Sequence, residues 1–208
     1  MGFYSQRILP YLLDWSMSDP AIAQYRREIL ANVTGDVLEI GFGTGLNLSY
    51  YPDIDKLVAI DANPGMHSLA QKRMQTSSIT IDHRVLNGEK LPMADNTFDS
   101  VVSTWTLCSI AKVEQALQEI YRVLKPGGKF FFIEHGLSNE PQVQIWQNRL
   151  TPIQKVIGDG CHLNRNIRQL VEKQFDTVTL KEFYAEKMPK FVGYYYQGVA
   201  TKAVNSYQ

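Results

Sequence analysis

The sequence lacks an excess of charge of either sign: 21 lysine and arginine residues face 21 aspartate and glutamate residues. A surface that wraps nucleic acid needs a basic excess, so no nucleic-acid partner is expected. Cysteine is scarce as well, with two among 208 residues. Two thiols far apart in sequence favour reduced cysteines and a cytoplasmic location, and they exclude a disulfide-based scaffold.

Long hydrophobic runs are also missing. No segment approaches the roughly 18 apolar residues that cross a bilayer, and the N-terminal stretch lacks the basic and apolar regions that direct secretion. We therefore expect no transmembrane segment, while peripheral membrane contact and the oligomeric state stay open. No repeat, low-complexity tract or linker divides the chain, so 208 residues predict a single domain spanning 1–208.

What the sequence does contain is an alternation of strand-like and helical patterns. The strand-like runs lie at 36–40, 57–60, 79–85, 98–104 and 129–135. Such alternation predicts parallel strands with right-handed crossovers. Two further runs, 177–183 and 192–202, predict an antiparallel hairpin at the sheet edge. We thus expect an α/β, Rossmann-like fold whose seven-stranded mixed sheet is mostly parallel and carries helices on both faces.

A glycine-rich turn, within "LEIGFGTG", follows the first strand and places Gly41, Gly43 and Gly45 two residues apart. Three glycines in five residues predict that the backbone passes close to a ligand. A dinucleotide fingerprint would need glycine at Leu46, and no Gly-Lys-Ser/Thr run follows as in a P-loop. Glu39, just before the turn, would repel a pyrophosphate. The pattern favours a ligand with an ammonium group and no phosphate, such as S-adenosylmethionine.

Asp61 directly follows the second strand. An acidic residue there can accept hydrogen bonds from both hydroxyls of a ribose, each worth about 1.5–3 kcal/mol. Nicotinamide-dependent enzymes use the same device, so Asp61 predicts a nucleoside without choosing the cofactor. The alternative role is a helix cap beside Asn63. After the third strand, Asn87 and Glu89 offer acceptors for an adenine amino group.

In this order and spacing the motifs resemble those of the class I S-adenosylmethionine-dependent methyltransferases, in the small-molecule group called methyltransferase type 11. The matching stretches are "LEIGFGTG", Asp61, "NGEKLPM", "FDSVVS" and "EIYRVLKPGGKFFFIEH". A narrower likeness, in "TWTLCSI", "FIEH" and "IGDGCHLNR", is to the membrane-associated thiol methyltransferases of animals and their bacterial relatives.

The resemblance implies an enzyme that transfers a methyl group from S-adenosylmethionine, releasing S-adenosylhomocysteine, to a small and apolar acceptor. A thiol is the leading acceptor, and C-, O- or N-methylation of a quinone, phenol or phospholipid is the alternative. Two rivals from other classes stay open. One is a nicotinamide-dependent oxidoreductase, which Leu46 and Glu39 disfavour, and the other is a non-catalytic module that binds a nucleoside.

The resemblance also implies nine donor-binding residues. They are Glu39, Gly41, Gly43, Gly45, Asp61, Asn87, Gly88, Glu89 and Thr104. The glycines would admit the methionine and ribose parts, with Glu39 near the amino-acid end and Asp61 at the ribose. The 87–89 segment, which begins with asparagine where the wider group has aspartate, would face adenine. Thr104 would face the sulfonium.

Two residues are candidates for catalysis. His135, at the end of the fifth strand, titrates near neutrality and is the candidate general base, or else a hydrogen-bonded histidine that closes the strand. Asp159, with Cys161 and His162, would shape the acceptor pocket or cap the next helix. The four histidines show no paired ligand spacing, so no metal site is expected.

The expected division of labour runs along the chain. Residues 1–34 would form a helical lid, 35–135 the cofactor-binding core, and 136–208 the acceptor-side helices and the hairpin. The acceptor lid itself would come from 1–15 and 140–160. Four aromatic residues are candidates to close it over an apolar pocket. They are Tyr4, Tyr11, Trp15 and Trp146.

Overall fold

The structure, a computed structural model, describes residues 2–54 and 56–204. Seven strands there form one sheet in the order β3-β2-β1-β4-β5-β7-β6. The strands are β1 (Val37–Ile40), β2 (Lys56–Asp61), β3 (Thr80–Val85), β4 (Phe98–Thr104), β5 (Leu124–His135), β6 (Thr177–Tyr184) and β7 (Tyr194–Thr201). The first five run parallel, and β7 is antiparallel to both β5 and β6. The predicted seven-stranded mixed sheet is confirmed.

Helices cover both faces of the sheet. They are α1 (Phe3–Arg7), α2 (Leu9–Met17), α3 (Pro20–Leu30), α4 (His67–Thr76), α5 (Val113–Val123), α6 (Pro141–Ile157), α7 (Ile167–Gln174) and α8 (Lys190–Gly193). Pro10 lies in the first turn of α2, where a missing N–H costs nothing, and the break at Ile8 separates α2 from α1. Within 2–54 and 56–204, none of the helices is both long enough and apolar enough to cross a bilayer.

The hydrophobic core lies on both faces of β5. Phe130 and Phe132 belong to the cluster on one face, and Phe131 belongs to the cluster on the other. All three rings are fully buried. A strand of continuous bulky apolar residues needs cover on both sides, which explains its interior place in the sheet.

The C-terminal strands pair as predicted, but a longer segment connects them. The connection runs over 185–193 and contains α8, where a short loop was expected. β7 lies inside the sheet between β5 and β6, so β6 forms this edge of the sheet and β3 forms the other. Burial explains this order, because five consecutive residues of β7 are buried while β6 alternates between exposed and half-buried positions.

Candidate active site

A cavity of about 370 Å³ opens above the carboxyl ends of β1, β2 and β4. Ligands bind at this edge in open α/β sheets, beside the strand where the order reverses. One wall is formed by the loops after the three strands. The opposite wall is formed by α2 and by the loop after α6, at Gly158 and Asp159.

Of the three predicted glycines, two line the cavity and the third begins a helical turn. Gly41, Gly43 and Gly45 have φ angles of 79°, 56° and 80°, in the left-handed region that favours glycine. A Cβ on Gly41 would overlap the side chain of Thr106, whereas a Cβ on Gly43 would meet only a backbone oxygen 3.9 Å away. Gly41 and Gly43 line the cavity. Gly45 does not, and its left-handed φ starts the short helical turn at Leu46–Ser49.

Asp61 ties the second strand to the glycine turn. Its Oδ2 accepts the Gly43 N–H at 2.8 Å, and its Oδ1 accepts the Asn63 N–H at 2.8 Å. Each oxygen keeps one lone pair, and the residue lines the cavity. Burial raises the pKa of this carboxyl, although the two backbone N–H groups oppose the shift. The cap beside it is Asn63, whose Oδ1 accepts the Gly65 N–H at 2.9 Å, so Asp61 is not needed as a helix cap.

Glu39 lies beneath the cavity rather than in its wall. It is buried, with Oε1 accepting from Asn47 Nδ2 at 2.8 Å and Oε2 accepting from the Tyr51 hydroxyl at 2.7 Å. Asn47 also donates to Thr104 Oγ1 at 3.0 Å, and both Asn47 and Thr104 line the cavity. Burial raises the pKa of Glu39 to about 7. A cation in the cavity would therefore sense Glu39 through Asn47.

The adenine-side candidates line the cavity together. Asn87 Oδ1 accepts the Glu89 N–H at 3.0 Å, and Glu89 Oε1 accepts the Lys112 N–H at 2.9 Å. Both side chains thus hold the loop in shape and keep further acceptor capacity. A Cβ on Gly88 would lie 2.9 Å from the side chain of Ile40, so this position must be small.

The apolar wall of the cavity differs from the predicted one. Leu9, Leu13 and Met17 line it, on one face of α2. The four aromatic residues named for this role are all exposed and line no part of it. They are Tyr4, Tyr11, Trp15 and Trp146, with exposed fractions of 37%, 58%, 81% and 56%. Residues 11 and 15 lie on the opposite face of α2, because a helix turns by about 100° per residue.

Asp159 is part of the wall formed by the loop after α6. Its φ is 48°, and its Oδ2 accepts the Ser5 hydroxyl at 2.6 Å. Ser5 is buried in α1, so this bond joins the N-terminal helices to the loop after α6. Of the predicted lid segment 140–160, only Gly158 and Asp159 line the cavity; Met1, at the start of the other segment, lies outside the described residues.

His135 is not brought to the cavity. Its Nε2 lies 2.8 Å from Cys161 Sγ, and its Nδ1 is buried without a hydrogen-bond partner in the described chain. The structure thus gives the predicted general base no contact with the cavity, and a base must come within hydrogen-bond distance of the acceptor's proton. Cys161 and His162 lie behind the wall too, the latter with Nδ1 3.2 Å from the Cys108 carbonyl oxygen.

Arg26 and Trp105 line the cavity but were missed. Arg26 donates to Asn47 Oδ1 at 3.0 Å and to the Met17 carbonyl at 2.7 Å, and its guanidinium lies 4.8 Å from the centre of the Trp105 ring. Its position among Ile22, Ile29 and the other apolar residues of α3 was a usable signal, since an arginine there must find buried partners. No pattern in the sequence pointed to Trp105, because its place in the cavity wall, with a φ of 50°, depends on tertiary packing.

Comparison with known sequences agrees with this site. Residues 38–132 match a family described as a methyltransferase domain. The chain is 31% identical to thiol S-methyltransferase TMT1A of Homo sapiens, over 87% of this chain and 80% of that protein. It is 42% identical to thiol S-methyltransferase TMT1B of Rattus norvegicus, over 70% of this chain and 62% of the relative. The match thus spans less than two thirds of the rat protein.

The chain is also similar to methyltransferases that act on other classes of acceptor. The chain is 30% identical to a ubiquinone/menaquinone biosynthesis C-methyltransferase of Hydrogenovibrio crunogenus, over 72% of this chain and 63% of that protein. Among solved structures, phosphoethanolamine N-methyltransferase 2 of Haemonchus contortus, in complex with S-adenosylhomocysteine, superposes with a TM-score of 0.73 at 16% identity. That match covers 93% of this chain and 57% of the other. At this identity the likeness shows the fold alone.

Proposed function

The chain belongs to the S-adenosylmethionine-dependent methyltransferases, and from this premise we propose that it methylates the sulfur of a small, apolar thiol. One observation carries the proposal: a single cavity joins a polar wall containing Asp61 to an apolar wall containing Leu13. A polar, charged donor and an apolar acceptor need these two surfaces side by side.

The residues of the polar wall fit the donor. S-Adenosylmethionine, when bound, supplies a methyl group carried on a sulfonium. Asp61 would accept from the ribose hydroxyls, and the open side of Gly43 would let the backbone approach the ligand. Asn47, backed by the buried Glu39, would receive the ammonium group. Arg26 is the only lysine or arginine among the described residues of the wall and would receive the carboxylate.

Four further residues complete the donor side of the proposal. Asn87 and Glu89 would accept from the adenine amino group, with Gly88 keeping the loop close to Ile40. Thr104 would lie at the sulfonium end, as part of the network with Asn47. A pyrophosphate is a poor fit for the same wall, because Glu39 and Asp61 are acidic and a single arginine faces the cavity.

The acceptor would lie against Leu9, Leu13 and Met17. A thiol is favoured because two relatives are named thiol S-methyltransferases. Positioning supplies most of what this chemistry needs, since effective molarities of about 10⁵ M or more are available from orientation alone. A thiol with a pKa near 8.5 is already a few per cent thiolate at neutral pH. Asp159 would accept the S–H hydrogen bond, orient the sulfur and take up the thiol proton as the sulfur is methylated.

Transfer of a labelled methyl group from S-adenosylmethionine to a panel of alkyl thiols, quinols, phenols and amines tests the proposal. We expect alkyl thiols to be methylated most efficiently. Methylation of quinols at carbon, with no reaction of thiols, would instead assign the activity to the quinone C-methyltransferase class. Binding of S-adenosylhomocysteine without transfer to any acceptor would make the chain a binding module, and binding of NADH alone would make it an oxidoreductase.

A further inference from the structure

Three side chains that bind soft metals meet behind the cavity wall. Within the described residues, one ligand atom each from Cys108, His135 and Cys161 lies within 4.8 Å of the other two. The cysteines are 2% and 6% exposed. We propose that these three residues bind a thiophilic divalent cation, with zinc as the cellular ion, in a Cys₂His site whose fourth position takes water or the amide of Gln154.

The thiols have few other close partners among the described residues. Cys108 Sγ lies 3.6 Å from both the Trp105 carbonyl oxygen and the Ser109 hydroxyl oxygen. Cys161 Sγ lies 3.5 Å from the Gln154 amide nitrogen and 2.8 Å from His135 Nε2. The three side chains thus bring two sulfur atoms and a ring nitrogen together in a buried place, and thiolate sulfur and imidazole nitrogen are ligands that zinc prefers.

The geometry requires a small adjustment. Zinc binds cysteine sulfur at about 2.3 Å and histidine nitrogen at about 2.0–2.1 Å. In a tetrahedral site these bond lengths place the sulfur and the nitrogen about 3.5 Å apart. His135 Nε2 and Cys161 Sγ are 2.8 Å apart. Coordination therefore moves them apart by about 0.7 Å, a shift that side-chain rotation at Cys161 can supply.

The surrounding charge tolerates the ion. The carboxylate of Glu134 accepts the backbone N–H groups of Thr106 and Leu107, each at 3.0 Å. The guanidinium of Arg165 donates to the Ile110 carbonyl at 2.8 Å, on the other side of the cluster. Binding adds two positive charges and releases two thiol protons to solvent, so the net charge of this buried region is unchanged.

The site would join the loop after β4 to the loop after α6, both of which line the cavity. Cys108 directly precedes the wall residues Ser109 and Ile110, while Cys161 follows Gly158 and Asp159. One backbone bond already links the two segments, from the His162 N–H to the Cys108 carbonyl at 2.9 Å. A bound ion would hold their spacing more firmly than this bond alone.

Cobalt titration of the full chain, under argon with a phosphine reductant, tests the proposal. We expect one Co²⁺ per chain, with a thiolate charge-transfer band and the intense visible bands of tetrahedral cobalt, both removed by Zn²⁺. Cys108→Ser and Cys161→Ser should abolish the charge-transfer band, and His135→Asn should weaken Co²⁺ binding at least tenfold. Circular dichroism establishes that each variant is folded. If a serine variant is not folded, the alanine variant at the same cysteine replaces it.

His67→Ala is the matched control. Its Nδ1 lies 3.2 Å from Nδ1 of His83, a pair of ring nitrogens outside the proposed site to which neither Cys108 nor Cys161 belongs. This variant should keep the whole spectrum. A wild-type chain without the charge-transfer band, or a band that survives both serine variants, would overturn the proposal.

Discussion

The two walls of the cavity are built in different ways. The polar wall follows the ends of strands, where the N–H groups of Gly41 and Phe42 donate to the Ile60 carbonyl at 2.9 Å and 3.0 Å and the Gly43 N–H donates to Asp61 Oδ2 at 2.8 Å. The apolar wall belongs to short helices that are held by side chains. Backbone bonding within a sheet sets positions closely, whereas side-chain links can be released one at a time.

Five side-chain links among the described residues attach α1 and α2 to the rest of the chain, and one of them is the bond from Asn63 Nδ2 to the Ser5 carbonyl at 2.8 Å. Arg73 pairs with Asp14 at 2.8 Å and also donates to the Thr44 carbonyl at 2.9 Å. The others run from Arg26 to the Met17 carbonyl, from Ser5 to Asp159, and from the Tyr4 hydroxyl to the Ile157 carbonyl. From this difference we expect the first wall to fix the donor and the second wall to be the part that opens. Changes in the first should alter donor binding, and changes in the second should alter acceptor use and opening.

The largest effect is expected at Asp61. Asp61→Ala removes two charge-assisted acceptors for the ribose, each worth about 1.5–3 kcal/mol, so affinity for S-adenosylhomocysteine should fall at least 100-fold in calorimetry. Asp82→Ala, which removes an exposed carboxylate paired with Arg84, is the control and should leave affinity unchanged. Equal affinity of the Asp61 variant and the wild type would remove Asp61 from the donor site.

Glu39 makes the polar wall sensitive to pH. Its pKa is about 7 in the folded chain, against about 4.3 when unfolded. The stability gained from the bound proton is full below the unfolded pKa and is lost as the pH rises through 7. Urea unfolding should therefore show the wild type losing about 2–3 kcal/mol more than Glu39→Gln between pH 5 and pH 8. Parallel profiles for the two proteins would contradict the buried carboxyl.

A smaller effect is expected on the apolar wall. Leu13→Ala removes buried contact with the acceptor, worth about 1–2 kcal/mol, so kcat/KM for an alkyl thiol should fall about tenfold. Affinity for S-adenosylhomocysteine should stay within about threefold, since the polar wall is untouched. Tyr11→Ala, two residues away on the exposed face of the same helix, should leave both quantities unchanged. An equal loss in the two variants would show that α2 acts only through its stability.

The smallest effect on stability is expected from the link at Arg73. Its ion pair with Asp14 is about one quarter to one third exposed, and such pairs contribute about 0.2–1 kcal/mol. Arg73→Ala should lower the free energy of unfolding by less than about 1 kcal/mol and yet speed hydrogen exchange in α1 and α2. Arg84→Ala, which breaks the Asp82 pair on β3, should not change that exchange. Unchanged protection of α2 would mean that the other links hold the wall shut.

Much of the donor side was predictable because its signals are local. A left-handed turn needs glycine, a buried strand needs consecutive apolar residues, and an acid after the second strand falls beside the turn through sheet topology. The β1 turn and Asp61 were thus identified in advance. The face of α2 that lines the cavity was not predicted, because the presence of aromatic residues does not say which side of a helix faces inward. His135 was assigned to the cavity because its strand ends there, but its ring turns toward Cys161.

By itself the sequence determined the parallel direction of the first five strands, the glycine-rich turn after β1 and the family. Each depends on residues close together in the chain, whose dihedral and burial preferences act over a few positions. Only the tertiary structure decided which side chains converge from distant segments. Arg26 met Asn47, and Cys108 met His135 and Cys161, because packing of separate elements brought them together, and no spacing along the chain encodes that.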